Sequence, residues 1–159
     1  MGIFEEGRAT LELTLAARMG LAALLGFLLG LERESRGKSA GERTFAIVAL
    51  GAAGFSGVAM SMFPETAGQA VAGVATGIGF LGVGIIWRAE EGQTRGLTTA
   101  ASILGVAAIG VVTGVGLYLT ALLATGLALF ILEFDRMPGL RGLHRRVTGR
   151  FDEDDERQG

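Results

Sequence analysis

Five apolar runs, each near the length needed to cross a bilayer, constrain this chain more than any other feature. A hydrocarbon core of about 30 Å needs about 20 apolar helical residues. The runs Leu11 to Leu31, Thr44 to Phe63, Ala67 to Trp87, Leu97 to Val115 and Leu117 to Phe134 approach that length. Backbone N–H and C=O groups inside lipid must be satisfied by the chain itself, which leaves helices or a closed barrel. Barrel strands alternate apolar and polar residues with period two, and these runs do not. The expected fold is all-α: a polytopic membrane helical bundle of about five transmembrane helices, closed by an antiparallel hairpin at the glycine turn "TGVG". A signal peptide would need a basic leading region. "MGIFEEGRATLE" is net acidic and no small-residue cleavage motif closes the run, so the first segment reads as retained.

Lysine and arginine positions set the expected orientation, because loops on the cytosolic side carry the excess of both. Arg33, Arg36, Lys38 and Arg43 fall in the first loop, Arg88 and Arg95 in the third, and six arginines follow the last run, so 12 of the 14 basic residues lie on one side. The N-terminus is expected outside and the C-terminus inside. Residues 1–135 read as the transmembrane domain and 136–159 as a cytosolic basic segment with an acidic tail. In that segment Leu140, Leu143, Val147 and Phe151 recur at near-helical spacing with Arg141, Arg145, Arg146 and Arg150 on other faces. That pattern describes an amphipathic helix on anionic lipid, or equally a solvated tail that fixes topology.

Chemistry has few candidates. The chain has no cysteine, which excludes disulfides, zinc-thiolate sites, iron-sulfur clusters and thiol catalysis. The one histidine, His144, is in the tail, no nucleophile has a plausible base and there is no phosphate-binding loop. The chain is not expected to be an enzyme, to carry a cofactor or to bind nucleic acid.

Charge near the membrane is more informative. Arg18 lies inside the first run, where an arginine at a helix centre costs about 2.5–3.5 kcal/mol; it either snorkels outward or faces the bundle or a polar cavity. Glu32 ends the same helix, where the helix dipole disfavours a carboxylate, so it needs a partner. Arg33, Arg36, Arg43 and Arg95 are the candidates. Two helix entries arrive at this layer, "ERTF" with Arg43 and Thr44, and "TRGLTT" with Arg95, Thr98 and Thr99. Each sets a hydroxyl near open N–H groups beside an arginine. The expected polar centre is Glu32, Arg33, Arg43, Thr44, Arg95, Thr98 and Thr99, either a salt-bridge network or an ion site. Ser35 to Ala40 is expected only to turn the chain. Glu32 and Glu34, with Glu42, are the oxygen ligands available to a hydrated Mg2+.

Glycine is abundant, 27 residues against two prolines, and it lies within the apolar runs. Gly26 and Gly30 of "GFLLG" have small-xxx-small spacing, and the third run carries Gly73, Gly77, Gly79, Gly82 and Gly84. These fit close helix packing, within the chain or in a homodimer, or a locally broken helix on an ion pathway.

The segments "RMGLAALLGFLLGLERESRGKSAGERT", "VALGA", "GIGFLGVGII" and "GLTTAAS", followed by "AAIGVVTGVGLY", occur in that order from Arg18 to Tyr118. In them the chain resembles the MgtC/SapB family of bacterial inner-membrane proteins. The family pattern falls on Arg18, Glu32, Arg33, Glu34, Gly41, Arg43, Thr44, Gly77, Gly79, Phe80, Gly82, Gly84, Gly96, Thr98, Thr99 and Ala100. Glu42, Phe45, Gln69 and Leu104 depart from it, and the chain reads as a short form without the C-terminal ACT-like domain of larger members. The resemblance implies a multi-pass inner-membrane protein of five helices. It also implies a role in ion homeostasis linked to Mg2+, by transport or adaptation to low Mg2+, or else docking on a membrane complex such as the ATP synthase.

Overall fold

The computed structural model describes residues 2–87 and 96–134, with side chains for 7–86 and 96–134, and every regular element among them is helical. Helix α1 is Gly2–Ser35, α2 is Glu42–Met62, α3 is Ala67–Trp87, α4 is Leu97–Gly114 and α5 is Tyr118–Glu133; one 3-10 turn, Pro64–Thr66, precedes α3. The first four are long and apolar enough to cross a membrane. Helix α5 is equally apolar but has 16 residues, about 24 Å of rise, so it is shorter than a straight crossing of the bilayer.

Helix α1 begins earlier than its apolar run, because "FEEGRATLE" sets mostly good helix formers, Glu, Arg, Ala and Leu, around Gly7 and has no proline. Its first turns carry an exposed Arg8–Glu12 pair at 3.2 Å. At the other end it continues through Ser35, one turn past Leu31, which carries Glu32 and Arg33 on helical backbone. Phe63 ends α2, and Pro64, which lacks an N–H, starts the turn to α3.

The chain divides into two compact units, Met1–Ala128 and Leu129–Gly159. Of the second, residues 129–134 are described; Phe130 and Phe134 stack edge to face there with ring centroids 5.9 Å apart. The basic amphipathic segment expected over 136–159 lies outside the described residues.

In the first unit α2 is the hub, packed on α1, α3 and α4. Lipid offers no hydrophobic drive between helices, so small residues that let backbones approach carry the packing. Gly26 of α1 sits on the backbone of Phe45 and on Ala49, and Gly30 sits on Gly41 and Glu42. Beside this interface, Gly110 of α4 lies against Ala49 and Ala52, and Gly114 against Ala53 and Ser56. Ser56 bonds the Ala52 carbonyl in its own helix at 2.8 Å and reaches Val111 of α4 at 3.1 Å. The core is accordingly rich in alanine, with Phe45, Leu29, Ile103 and Val106 as its bulky members.

Candidate functional site

The last turn of α1 holds a buried ionic cluster. Glu32 keeps 6% of its side-chain exposure, Arg33 3% and Arg36 23%. Arg36, four residues on, ion-pairs with one Glu32 oxygen, and Arg33 Nη1 lies 3.8 Å from the other. Glutamate followed by arginine at i+4 is the favourable order on a helix, and both arginines oppose the negative helix end. Arg33 Nη2 also donates to Thr99 Oγ1 at 3.2 Å, so the cluster ties α1 to the first turn of α4. Arg33 Nε and Glu42 Oε2 are buried without a hydrogen bond.

The structure thus brings Glu32, Arg33 and Thr99 together and leaves the other described members of the expected centre outside it. Arg43 is 92% exposed, with Glu42 at 3.9 Å from its Nε. Thr44 and Thr98 are exposed, and Arg95 lies outside the described residues. The reason is register. Glu42 abuts Gly30, which directs Phe45 into the α1–α2 interface at 0% exposure and turns Arg43, two residues earlier, to the opposite side of α2. Arg36 belongs to the cluster although its segment reads as a connector; its i+4 spacing from Glu32 was the available signal.

The Mg2+ ligands considered for this region do not fit a cation. Glu32 is held between two arginines, while Glu34 is exposed with its carboxylate over Gly41. Among the described residues no three acidic, histidine or cysteine side chains converge.

Arg18 has its own partners. Nη1 donates to the Gly114 carbonyl at 2.9 Å and Nε to the Tyr118 hydroxyl at 3.1 Å. The guanidinium therefore does not snorkel free but faces the bundle, where it closes the negative end of α4. The α4–α5 turn folds over it at Gly116, whose φ of 92° favours glycine and where a Cβ would meet Nη2 at 3.0 Å.

Helix α3 is continuous from Ala67 to Trp87, so its glycines do not break it. A Cβ added at Gly73, Gly77, Gly79 or Gly84 would meet nothing within 4 Å, and only Gly82 touches a neighbour, Ala100 of α4 at 3.6 Å. Between α2 and α3 runs an apolar cleft of about 430 Å³, bounded by Ile47, Gly51 and Phe55 on one wall and Gly73, Gly77 and Leu81 on the other. On the outward side, Ala72, Thr76, Phe80 and Val83 form an exposed stripe at helical spacing.

Residues 19–137 match the MgtC family model. Protein MgtC of Salmonella typhimurium strain LT2 is 48% identical over 104 residues, 65% of this chain and 45% of its own length. Protein MgtC of Brucella abortus strain 2308 is 44% identical over 111 residues, 69% and 46% of the two chains. Protein SrpB of Synechococcus elongatus is 37% identical over 148 residues, 84% of this chain and 81% of its own. The chain spans less than half the length of the MgtC proteins it matches, and no solved structure matches it. The family match covers most of the chain, so the chain belongs to the MgtC family.

Proposed function

We propose that this chain is a non-enzymatic protein of the bacterial inner membrane, N-terminus outside, that serves ion homeostasis under magnesium limitation. It acts by docking on another membrane complex, not by conducting the ion itself. One observation carries the reading. Gly26 and Gly30 of α1 and Gly110 and Gly114 of α4 are closed by α2 and its N-cap, whereas Gly73, Gly77, Gly79 and Gly84 of α3 face open space. The adjoining stripe from Ala72 to Val83 includes Thr76, whose hydroxyl is bonded to the Ala72 carbonyl at 2.9 Å. A glycine-edged face is the surface on which a second membrane helix packs closely. The carboxylate best placed to accept a cation, Glu32, is neutralised by Arg33 and Arg36. The partner that family membership favours is the proton-driven ATP synthase.

The test uses co-reconstituted vesicles. ATP-driven proton pumping by the synthase is expected to fall when this protein is present and to recover with Gly84→Leu. Purified protein alone in liposomes is expected to give no Mg2+ flux above protein-free vesicles. Mg2+ flux that Glu32→Gln abolishes would overturn the reading in favour of transport.

A further inference from the structure

The exposed Arg43 and the α2–α3 cleft belong together. Arg43 and Ile47 are one turn apart on the same face of α2, and Ile47 forms the end of the cleft nearest the α1–α2 loop. From Ile47 to Phe55 the cleft wall descends about 12 Å along α2, starting about 7.5 Å below Glu42. It therefore lies between about 7.5 and about 19.5 Å below Glu42, reaching just past the middle of a core of about 30 Å. Along α3 it runs from Ala70 to Leu81, about 16 Å.

The cleft, about 430 Å³, is drawn out along both helices. Its elongated shape suits one extended alkyl chain. Its walls are apolar throughout, and Gly51, Gly73 and Gly77 leave it open, since a Cβ at any of them meets nothing within 4 Å.

The loop-side mouth has the complementary charge. Arg43 is 92% exposed, Thr44 beside it is exposed, and so is Lys38 in the preceding loop. The N-cap of α2, Gly41, makes no side-chain capping bond, so first-turn N–H groups add positive potential there. Among the described residues the acids at this corner are Glu34, lying over Gly41, and Glu42, 21% exposed and 3.9 Å from Arg43 Nε.

We infer that the α2–α3 cleft binds one anionic phospholipid, an acyl chain lying between Gly51 and Gly77 and the headgroup phosphate meeting Arg43 and Thr44. The inference does not rest on a docking partner, although Gly73 and Gly77 border both the cleft and the face assigned to that partner.

Native mass spectrometry of the full chain, delipidated in mild detergent and titrated with phosphatidylglycerol or phosphatidylcholine of matched chains, tests it. One phosphatidylglycerol per chain is expected to be retained, with a preference of about fivefold over phosphatidylcholine, the contribution of one arginine near a headgroup layer. Arg43→Gln is expected to remove the preference while binding of phosphatidylcholine stays. Gly77→Leu, whose added Cβ meets nothing within 4 Å, is expected to lower retention of both lipids without lowering the melting temperature. Arg8→Gln, at the opposite end of α1, is the control that leaves both unchanged. Equal retention of the two lipids by the unmodified chain, a preference that survives Arg43→Gln, or retention that survives Gly77→Leu would overturn the inference. So would a dimer that carries no lipid, which would assign the cleft to a second copy.

Discussion

Glu32 sits between Arg33 and Arg36 with 6% of its side chain exposed, so Glu32→Gln leaves two arginines without their counter-charge. Loss of one partner from a buried pair costs about 3–5 kcal/mol, and unfolding of the purified protein in detergent should show a loss of that size. Arg43→Gln should change stability by less than about 0.5 kcal/mol, because an exposed side chain loses little. Equal effects of the two substitutions would mean that Arg43 belongs to the cluster. Arg18→Met removes hydrogen bonds from a charged donor, worth about 1.5–3 kcal/mol. Tyr118→Phe should cost less, and the double variant less than the sum of the two. Strict additivity would deny the contact. Glu32 and Arg36 could be paired from their spacing, once the helix is known to run through Ser35. The partners of Arg18 could not, since Gly114 and Tyr118 lie 96 and 100 residues away in sequence.

The helices differ in what their glycines do, although the sequence shows the same small-residue spacing in each. Gly110→Ala would drive a Cβ onto the Ala49 carbonyl and Ala52, separating α4 from α2, and should lower the melting temperature. Gly77→Ala meets nothing and should stabilise the isolated chain by up to about 1 kcal/mol, the propensity gain of alanine over glycine in a helix. Destabilisation by Gly77→Ala in the purified protein would show that α3 is already packed. Existence and type of all five helices were legible, since apolar length alone specifies a helix in lipid. The order of burial was not. Mean hydropathy is the same, 1.8, for all four long helices, yet 6% of the α3 span is buried and 44% of the α4 span.

For the whole molecule, the distribution of basic residues predicts which loops share a side, and the cysteine-free chain permits a clean test. Glu65→Cys, in the turn before α3, should react with a membrane-impermeant maleimide in intact cells, and Lys38→Cys only after permeabilisation. The reverse pattern would invert the orientation. Sequence by itself determined that the chain is helical, how many helices it has, where they turn and which family it belongs to. Each of these follows from runs of neighbouring residues, because lipid forces every segment to satisfy its own backbone. Only the tertiary structure decided that Arg33 bonds Thr99 while Arg43 faces outward, that Arg18 closes α4, and that α3 keeps an open face beside a cleft. Those outcomes depend on helix rotation and register, set by where Gly26, Gly30, Gly110 and Gly114 let backbones meet, and no local pattern in the chain encodes them.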